Sequence, residues 1–580
     1  MMPMHNSEVA EQFRMMADLL SIKGANRFKI RAYRNAAQIL SNLTDNLLDM
    51  VNNDEDLTKL DGIGKELAAK IEEMVKDGKI SALEELKKEI SPEVAEMLTI
   101  SGLGPERVKT IYHELNVKNI AELKKAAEEK KIQKLSGLGE KTEETILEAI
   151  KKREEKGEQK RILYSRAEEI VKPLVEYLKA LEAIDQVTIA GSYRRRKSTI
   201  GDLDILVCGT DSEKIMKYFN DYEDVNQVLL SGETKSSVLL NDGIQVDLRL
   251  VKKENYGSAL QYFTGSKEHS VKLRKTSKEQ GLKINEYGIF DGDERSGGAE
   301  EKDMYEILGL PYIEPELREN RGELEIKQAS DLPDLITLED IKGDLQMHTD
   351  ASDGNNTMVE MIEAAIEKGY QYIAITDHSK RVTIANGLDV KRVKKQIEKI
   401  DKMNEKYDDI KILKSMEVDI LKDGSLDLPE DILSKLDIRI CAIHYNTNLS
   451  REDQTKRMIK AIENPFCDII AHPTGRIILD REPYAIDLDQ VMVAAKENDC
   501  ILEINAQPDR LDLSDQYIKK AVEMNVKLVI STDAHSTGGL ENMKYGVYQA
   551  RRGWCSANDV VNTLALSDLL SLINKEGSKS

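Results

Sequence analysis

The sequence predicts a multidomain α and α/β protein: a helical amino-terminal region, a mixed α/β centre and a carboxy-terminal α/β barrel. Three observations lead there. A Gly-x-Gly step recurs at residues 62–64, 102–104 and 137–139, each time between helical patterns. Residues 202–207 (DLDILV) form an apolar run carrying two acids two positions apart. After residue 340, short apolar runs alternate with helical stretches, and a histidine or an acid stands where run after run ends. Period 2 marks strands and period 3.6 marks helices, so the order of patterns gives the order of domains. A chain of 580 residues has room for several cores.

Composition narrows the function classes. The formal net charge of −21 argues against indiscriminate nucleic-acid binding, so any such contact needs local basic patches or backbone amides. The five cysteines form no C-x-x-C pair and four sit in or beside apolar runs, as core thiols in a reducing compartment do. No apolar run approaches a membrane span, and residues 1–13 lack a charged-then-apolar signal pattern. The expectation is a cytoplasmic monomer with no membrane partner.

The helical region divides into residues 1–88 and 89–155. Residues 21–40 carry Lys23, Arg27, Lys29, Arg31 and Arg34 and no acid, a local excess suited to phosphate. The glycine pairs Gly62/Gly64, Gly102/Gly104 and Gly137/Gly139 each precede a helical run. Glycine permits φ > 0 and close backbone approach, and a helix N-terminus offers free N–H groups. These units read as helix-hairpin-helix motifs that hold a nucleic-acid backbone through amides.

The central region, 156–252 and then 253–322, is organised around residues 191–207, GSYRRRKSTIGDLDILV. On a strand, Asp202 and Asp204 share one face while Leu203 and Ile205 point into a core. Paired carboxylates repel unless a cation neutralises them, and Mg²⁺ takes one or two carboxylates plus substrate phosphates. Gly191, Ser192 and the basic run 194–197 supply what phosphates bind. The expected chemistry is phosphoryl transfer on a nucleotide.

This stretch resembles the nucleotidyltransferase palm of the family X DNA polymerases, the family of DNA polymerase beta. The resemblance implies a third metal-binding aspartate, matched by Asp247 in QVDLRLV. It implies Mg²⁺ or Mn²⁺ on Asp202, Asp204 and Asp247, with Arg161, Ser192, Arg195 and Gly201 contacting the nucleotide. Residues 262–266 (YFTGS) match the turn where Tyr262 and Gly265 crowd the sugar, and Arg274 matches a template-facing arginine. Lys267, Ser270 and Gln245 depart from the family pattern. In the amino-terminal region the resemblance implies a lyase nucleophile at Lys70, with Lys29 and Tyr33 in support. Glu66 and Phe28 replace a lysine and a histidine of that 5′-phosphate pocket.

A polar stretch, 323–340, reads as a linker to a barrel over 341–575. His348, His378, Glu417, His444, His472, Asp533 and His535 stand at the expected strand ends, with Asp350 and Asp353 just after the first. Five of the eight histidines fall there, and imidazole with carboxylate suits Zn²⁺, Mn²⁺ or Fe²⁺. More ligands than one ion needs implies two or three ions, the chemistry of phosphoester hydrolysis. This half resembles the polymerase-and-histidinol-phosphatase (PHP) domain, which implies a distorted (β/α)7 barrel. The first motif reads H-x-D where the family has H-x-H, so either Asp350 substitutes as an oxygen ligand or that position is unused.

Palm plus barrel in this order is similar to the bacterial and archaeal form of family X. That implies filling of short gaps in DNA repair from deoxynucleoside triphosphates on gapped or nicked DNA. It also implies a 3′→5′ exonuclease and cleavage at abasic sites. Two alternatives stand beside it: a barrel that hydrolyses small phosphomonoesters, and a non-catalytic DNA-end scaffold.

Overall fold

A computed structural model describes residues 6–43, 47–52, 55–60, 62–100, 103–135, 137–156 and 161–573. The chain forms two compact units, Met1–Gln159 and Lys160–Ser580. No described helix is long and apolar enough to cross a membrane.

The first unit is helical among its described residues. The helix Asn6–Lys23 packs against Arg27–Asn42 through Phe13, Met16, Leu19, Tyr33, Ala36 and Leu40. That apolar face leaves Lys23, Arg27, Lys29, Arg31 and Arg34 exposed on the other side. In each hairpin the residue between the glycines is the buried anchor: Ile63, Leu103 and Leu138. A helix follows each, Lys65–Asp77, Pro105–Leu115 and Glu140–Lys156. Gly62 has φ +90°, and a Cβ there would lie 2.8 Å from Ile39 Cδ1, so the turn needs glycine.

The second unit begins with a five-stranded sheet in the spatial order Ile184–Ile189, Asp202–Gly209, Gln245–Val251, Lys235–Leu240 and Val225–Ser231. The Asp202 and Gln245 strands run parallel, placing Asp204 directly beside Asp247. Leu203, Ile205 and Val207 are buried beneath them against the helices Tyr164–Lys179 and Ser212–Asn220. The same core takes in Leu511 and Tyr545 from the barrel.

A smaller α+β part follows: the helix Lys267–Glu279 packed on the sheet of Leu282–Asn285, Gly288–Asp291 and Glu294–Gly297. The polar stretch after it is not a free linker. Residues 325, 327–331 and 334 are exposed, but Glu323, Leu324, Leu335 and Ile336 are buried and pin both ends. Glu323 accepts from the amides of Asn320 and Arg321 and faces the His269 ring at 2.7 Å. Composition hid this because the anchoring acid looks like any solvated one.

Seven parallel strands, from Gly343–Met347 to Leu528–Ser531, pair in chain order. The ends meet where Met347 bridges Ala534 and the His348 amide donates to the Ala534 carbonyl at 2.8 Å. Strand residues alternate between two cores. Tyr372 and Ala374 join an inner cluster with Leu569, and Ile373 and Ile375 meet the surrounding helices. One boundary differs from expectation. The third strand continues through Glu417 to Asp419, so Glu417 sits within the ladder opposite Ile440.

The pinned stretch generates a test. Glu323→Ala removes the acceptor shared by a buried ring and two amides, at a cost of about 1–3 kcal/mol. The single tryptophan, Trp554, packs against this same core and reports it. The expected outcome is a urea transition in Trp554 fluorescence at lower midpoint; an unchanged midpoint contradicts the pinning.

Candidate functional site

In the palm, Gly191 has φ +60°, and a Cβ there would lie 2.4 Å from Asp204 Oδ2. The glycine is what lets the backbone of the basic turn close onto the carboxylate. The result is a cavity of about 530 Å³, lined by Asp202 and Asp204 on one side. Arg161, Ser192, Arg195, Lys197, Tyr262, Gly265 and Arg274 line the remainder, together with Lys267 and Ser270. Arg161 is fixed by Nε to Thr199 Oγ1 (2.9 Å), and its Nη1 would lie 3.1 Å from a Cβ on Gly201. Gly201 and Asp247 stand just behind this lining.

The carboxylates differ electrostatically. Burial, then the neighbouring Asp202 and Asp247 charges, push Asp204 up to about 7. Burial pushes Asp247 the same way, but bonds from Lys235, Gln245 and Ser237 outweigh it and hold it below the usual carboxylate range. Lys235 Nζ lies 2.8 Å from Asp247 Oδ2, and Gln245 Nε2 donates to Oδ1 at 2.7 Å. Lys235 had no sequence signal: it reaches Asp247 from the neighbouring antiparallel strand.

At the barrel mouth the strand ends converge on Glu417. His348 Nε2 and His378 Nδ1 each lie 3.3 Å from Glu417 Oε2. His444 Nε2 and His472 Nε2 lie 3.2 and 3.0 Å from Oε1. Asp533 faces His348 Nε2 at 3.1 Å, and Asp353 lies 3.5 Å from His378 and 3.4 Å from His535. Three groups have ligand atoms close enough to share an ion: His348/Asp353/His378/His535, His378/Glu417/His444 and His348/Glu417/Asp533. His472 joins them only through Glu417. Asp350 is exposed and belongs to none of the three.

The fit to metal is visible in what lacks a hydrogen bond. His348 Nδ1, His378 Nδ1 and Glu417 Oε2 are buried with no hydrogen-bond partner. Buried polar atoms are rarely left so, and each of these is an atom that ligates a cation when it carries no proton. Burial disfavours charge on both partners, yet the carboxylates hold His348 well above its ordinary value and His444 up to about 9. Glu417 is held well below, burial being outweighed by His378 and His444.

Three further polar residues were missed. Asp419 Oδ1 lies 3.1 Å from His444 Nδ1 and orients that ring. Its signal was present: Glu417 and Asp419 repeat the acid-x-acid spacing of Asp202 and Asp204. Glu503 Oε2 accepts from the His472 amide at 2.7 Å, and Asn505 bridges Glu503 to Asp533. An acid inside the apolar run ILEIN was the available clue. Arg476 turns away from the mouth and donates to the carbonyls of Arg510 and Leu511.

In the helical unit, Lys70 Nζ is 3.0 Å from Glu66 Oε1, which also meets Tyr33 Oη (3.4 Å) and Lys29 Nζ (3.6 Å). The pocket expected to hold a phosphate therefore already holds a carboxylate. Phe28, where a histidine was expected, is exposed. Gly64 and Gly104 cap their helices with no side-chain hydrogen bond, leaving the helix N-termini open. Gly137 has φ +80°, and Gly139 has open space where a Cβ would sit. Gly102 lies outside the described residues.

Five protein families match along the chain. The DNA polymerase beta palm family matches residues 161–262 and the DNA polymerase beta thumb family 259–319. The PHP domain matches 344–507, the helix-hairpin-helix domain 4–80, and the SAM-like helix-hairpin-helix tandem 94–152. The DNA polymerase/3′-5′ exonuclease PolX of Bacillus subtilis (strain 168) is 40% identical over 576 residues, 99% of this chain and 100% of that protein. A protein named probable phosphatase from Thermoanaerobacter sp. (strain X514) is 33% identical over 231 residues, 38% of this chain and 89% of that protein. Another, from Caldanaerobacter subterraneus subsp. tengcongensis, is 34% identical over 203 residues, 33% of this chain and 75% of that protein. Full-length identity at this level, on a chain that carries palm, thumb and PHP domain together, places this protein in the PolX family of DNA polymerases.

Proposed function

We propose that this protein fills short gaps in DNA repair with its palm and trims 3′ ends with its barrel. The observation that carries the reading is the palm cavity, in which two strand-borne carboxylates face Arg161, Ser192, Arg195 and Lys197. Its volume suits a ligand of nucleotide size. In this reading Asp202, Asp204 and Asp247 hold Mg²⁺ or Mn²⁺. Arg161, Ser192 and Arg195 take the triphosphate oxygens beside Gly201. Tyr262 and Gly265 crowd the sugar, and Arg274 reaches the template strand.

The barrel residues His348, Asp353, His378, Glu417, His444, His472, Asp533 and His535 would hold two or three Zn²⁺, Mn²⁺ or Fe²⁺ ions; Asp350 takes no part. Divalent ions in these two places neutralise phosphate charge and acidify an adjacent hydroxyl or water. The chain's own work is to orient. Asp419 fixes the His444 ring, Glu503 fixes the His472 backbone, and the thumb closes the nucleotide side. The same hydrolytic chemistry extends to cleavage at abasic sites. The hairpin glycines, with Lys29, hold the DNA backbone; Tyr33 is buried in the helical core and takes no part in that contact. We assign Lys70 no lyase step, because Glu66 engages its amine and offsets the charge that a 5′-phosphate needs.

The barrel's likeness to proteins named probable phosphatases favours a second reading, release of phosphate from small monoesters. One labelled gapped substrate and one small monoester separate the two.

Asp204→Asn should lower nucleotide incorporation by at least on the order of 10²-fold. DNA binding in a gel shift should be unchanged. Primer extension at the wild-type rate would contradict the palm assignment. His378→Ala should stop 3′ shortening and spare extension. Shortening that persists contradicts the barrel assignment, and monoester hydrolysis without shortening supports the second reading. Finally, His444 is raised to about 9, so it carries a proton at pH 7.5 that it must lose to become a ligand. Titration of the protein with Mn²⁺ should release protons, and barrel affinity should rise with pH until about 9; a pH-independent affinity contradicts imidazole ligation.

A further inference from the structure

Arg552 is the last residue of the barrel helix Met543–Arg552, is 2% exposed, and belongs to none of the candidate metal groups. Its Nη1 donates to the Arg195 carbonyl at 2.5 Å and to Glu319 Oε1 at 3.1 Å. Its Nη2 donates to Asp515 Oδ2 at 2.5 Å. One buried guanidinium thus touches palm, thumb and barrel. Glu319 Oε1 also accepts from Arg195 Nε at 3.1 Å, and Arg195 Nη1 donates to the Thr264 carbonyl at 2.5 Å. A thumb carboxylate and a backbone carbonyl therefore fix the Arg195 guanidinium, and the barrel arginine holds that carboxylate.

Charge explains the arrangement. Arg195, Lys197, Arg321 and Arg552 surround the two acids Glu319 and Asp515. The cluster carries an excess of positive charge, and of its four cations Arg195 and Lys197 line the cavity. Glu319 is held down to about 2: burial opposes ionisation, but Arg552, Lys197 and Arg195 outweigh it. Arg552 is the first of those three. Without it, Glu319 would lean more heavily on Arg195 and Lys197, with Arg321 the one remaining cation away from the cavity, and that would draw the cavity cations off the phosphate path. Buried charges that lose one partner rearrange or pay a large desolvation cost.

We propose that Arg552 is a positioning residue for the nucleotide site: through Glu319, the barrel sets the Arg195 guanidinium against the triphosphate. This rests on the polymerase reading above. The PHP domain would then be a structural part of the polymerase.

The test is gap-filling kinetics on the full chain, with 3′ shortening of the same DNA as the control. Arg552→Met and Glu319→Gln should each raise KM for the nucleotide on the order of tenfold, with kcat changed by less than about threefold. The double variant should be no worse than either alone, since both act on one link. Arg552→Lys should fall between wild type and Arg552→Met. The 3′-shortening rate of Arg552→Met should stay within about twofold of wild type. Wild-type KM in Arg552→Met and Arg552→Lys, or effects that multiply in the double variant, overturns the proposal. Should Arg552→Met lose shortening as well, a sign of misfolding, Arg552→Lys and Glu319→Gln decide it: wild-type KM in both overturns it. A wild-type protein that incorporates no nucleotide defeats the polymerase reading itself, a different failure.

Discussion

Carboxylates gathered at the ends of buried strands repel one another, and each half of the second unit is built to hold such a group together. In the palm, parallel strands bring Asp204 beside Asp247, and Lys235 pairs with the latter while Gln245 donates to it. Asp204 is left partly uncompensated and titrates near neutrality. In the barrel, imidazoles are interleaved with Glu417, Asp353 and Asp533, so that each acid faces at least one ring. The palm has a carboxylate raised by its neighbours, and the barrel has buried ring nitrogens and a carboxylate oxygen without hydrogen-bond partners. Both are donor sets suited to a cation.

Buried arginines tie the parts of this unit into one framework. Arg318, fully buried, meets Glu301 at 2.5 Å, and Glu301 in turn takes both arms of Arg194. That joins thumb to palm directly beneath the nucleotide cavity. Arg552 performs the corresponding service between barrel and thumb. Guanidinium suits this role because its donors lie in one plane and its charge survives burial. An arginine replaced by lysine at either place keeps the charge and loses the fork.

Much of this was legible in the chain. Alternation pointed to Asp202 and Asp204, the family resemblance added Asp247, and histidines at successive strand ends pointed to the barrel mouth, because period and position are local properties. Glu66 was legible too, as a carboxylate replacing a lysine of the phosphate pocket, and it pairs with Lys70. What escaped notice depends on neighbours distant in sequence. Lys235, Glu319 and Arg552 look like ordinary surface charges until the fold brings them to Asp247 and Arg195. The stretch 323–340 was misread for the same reason: its polarity suggests a tether, but Glu323 is anchored by a histidine 54 residues away. Asp350, open in the sequence between a ligand and an unused position, lies exposed and outside the three candidate metal groups.

The central claim is that cations sit in two separate places on this chain, and locating them tests it most directly. Crystals grown with Mn²⁺ and measured at the manganese absorption edge should show anomalous density beside Asp202, Asp204 and Asp247. They should also show density at two or more positions among His348, Asp353, His378, Glu417, His444, Asp533 and His535. Density confined to surface carboxylates, with neither cluster occupied, would contradict the account.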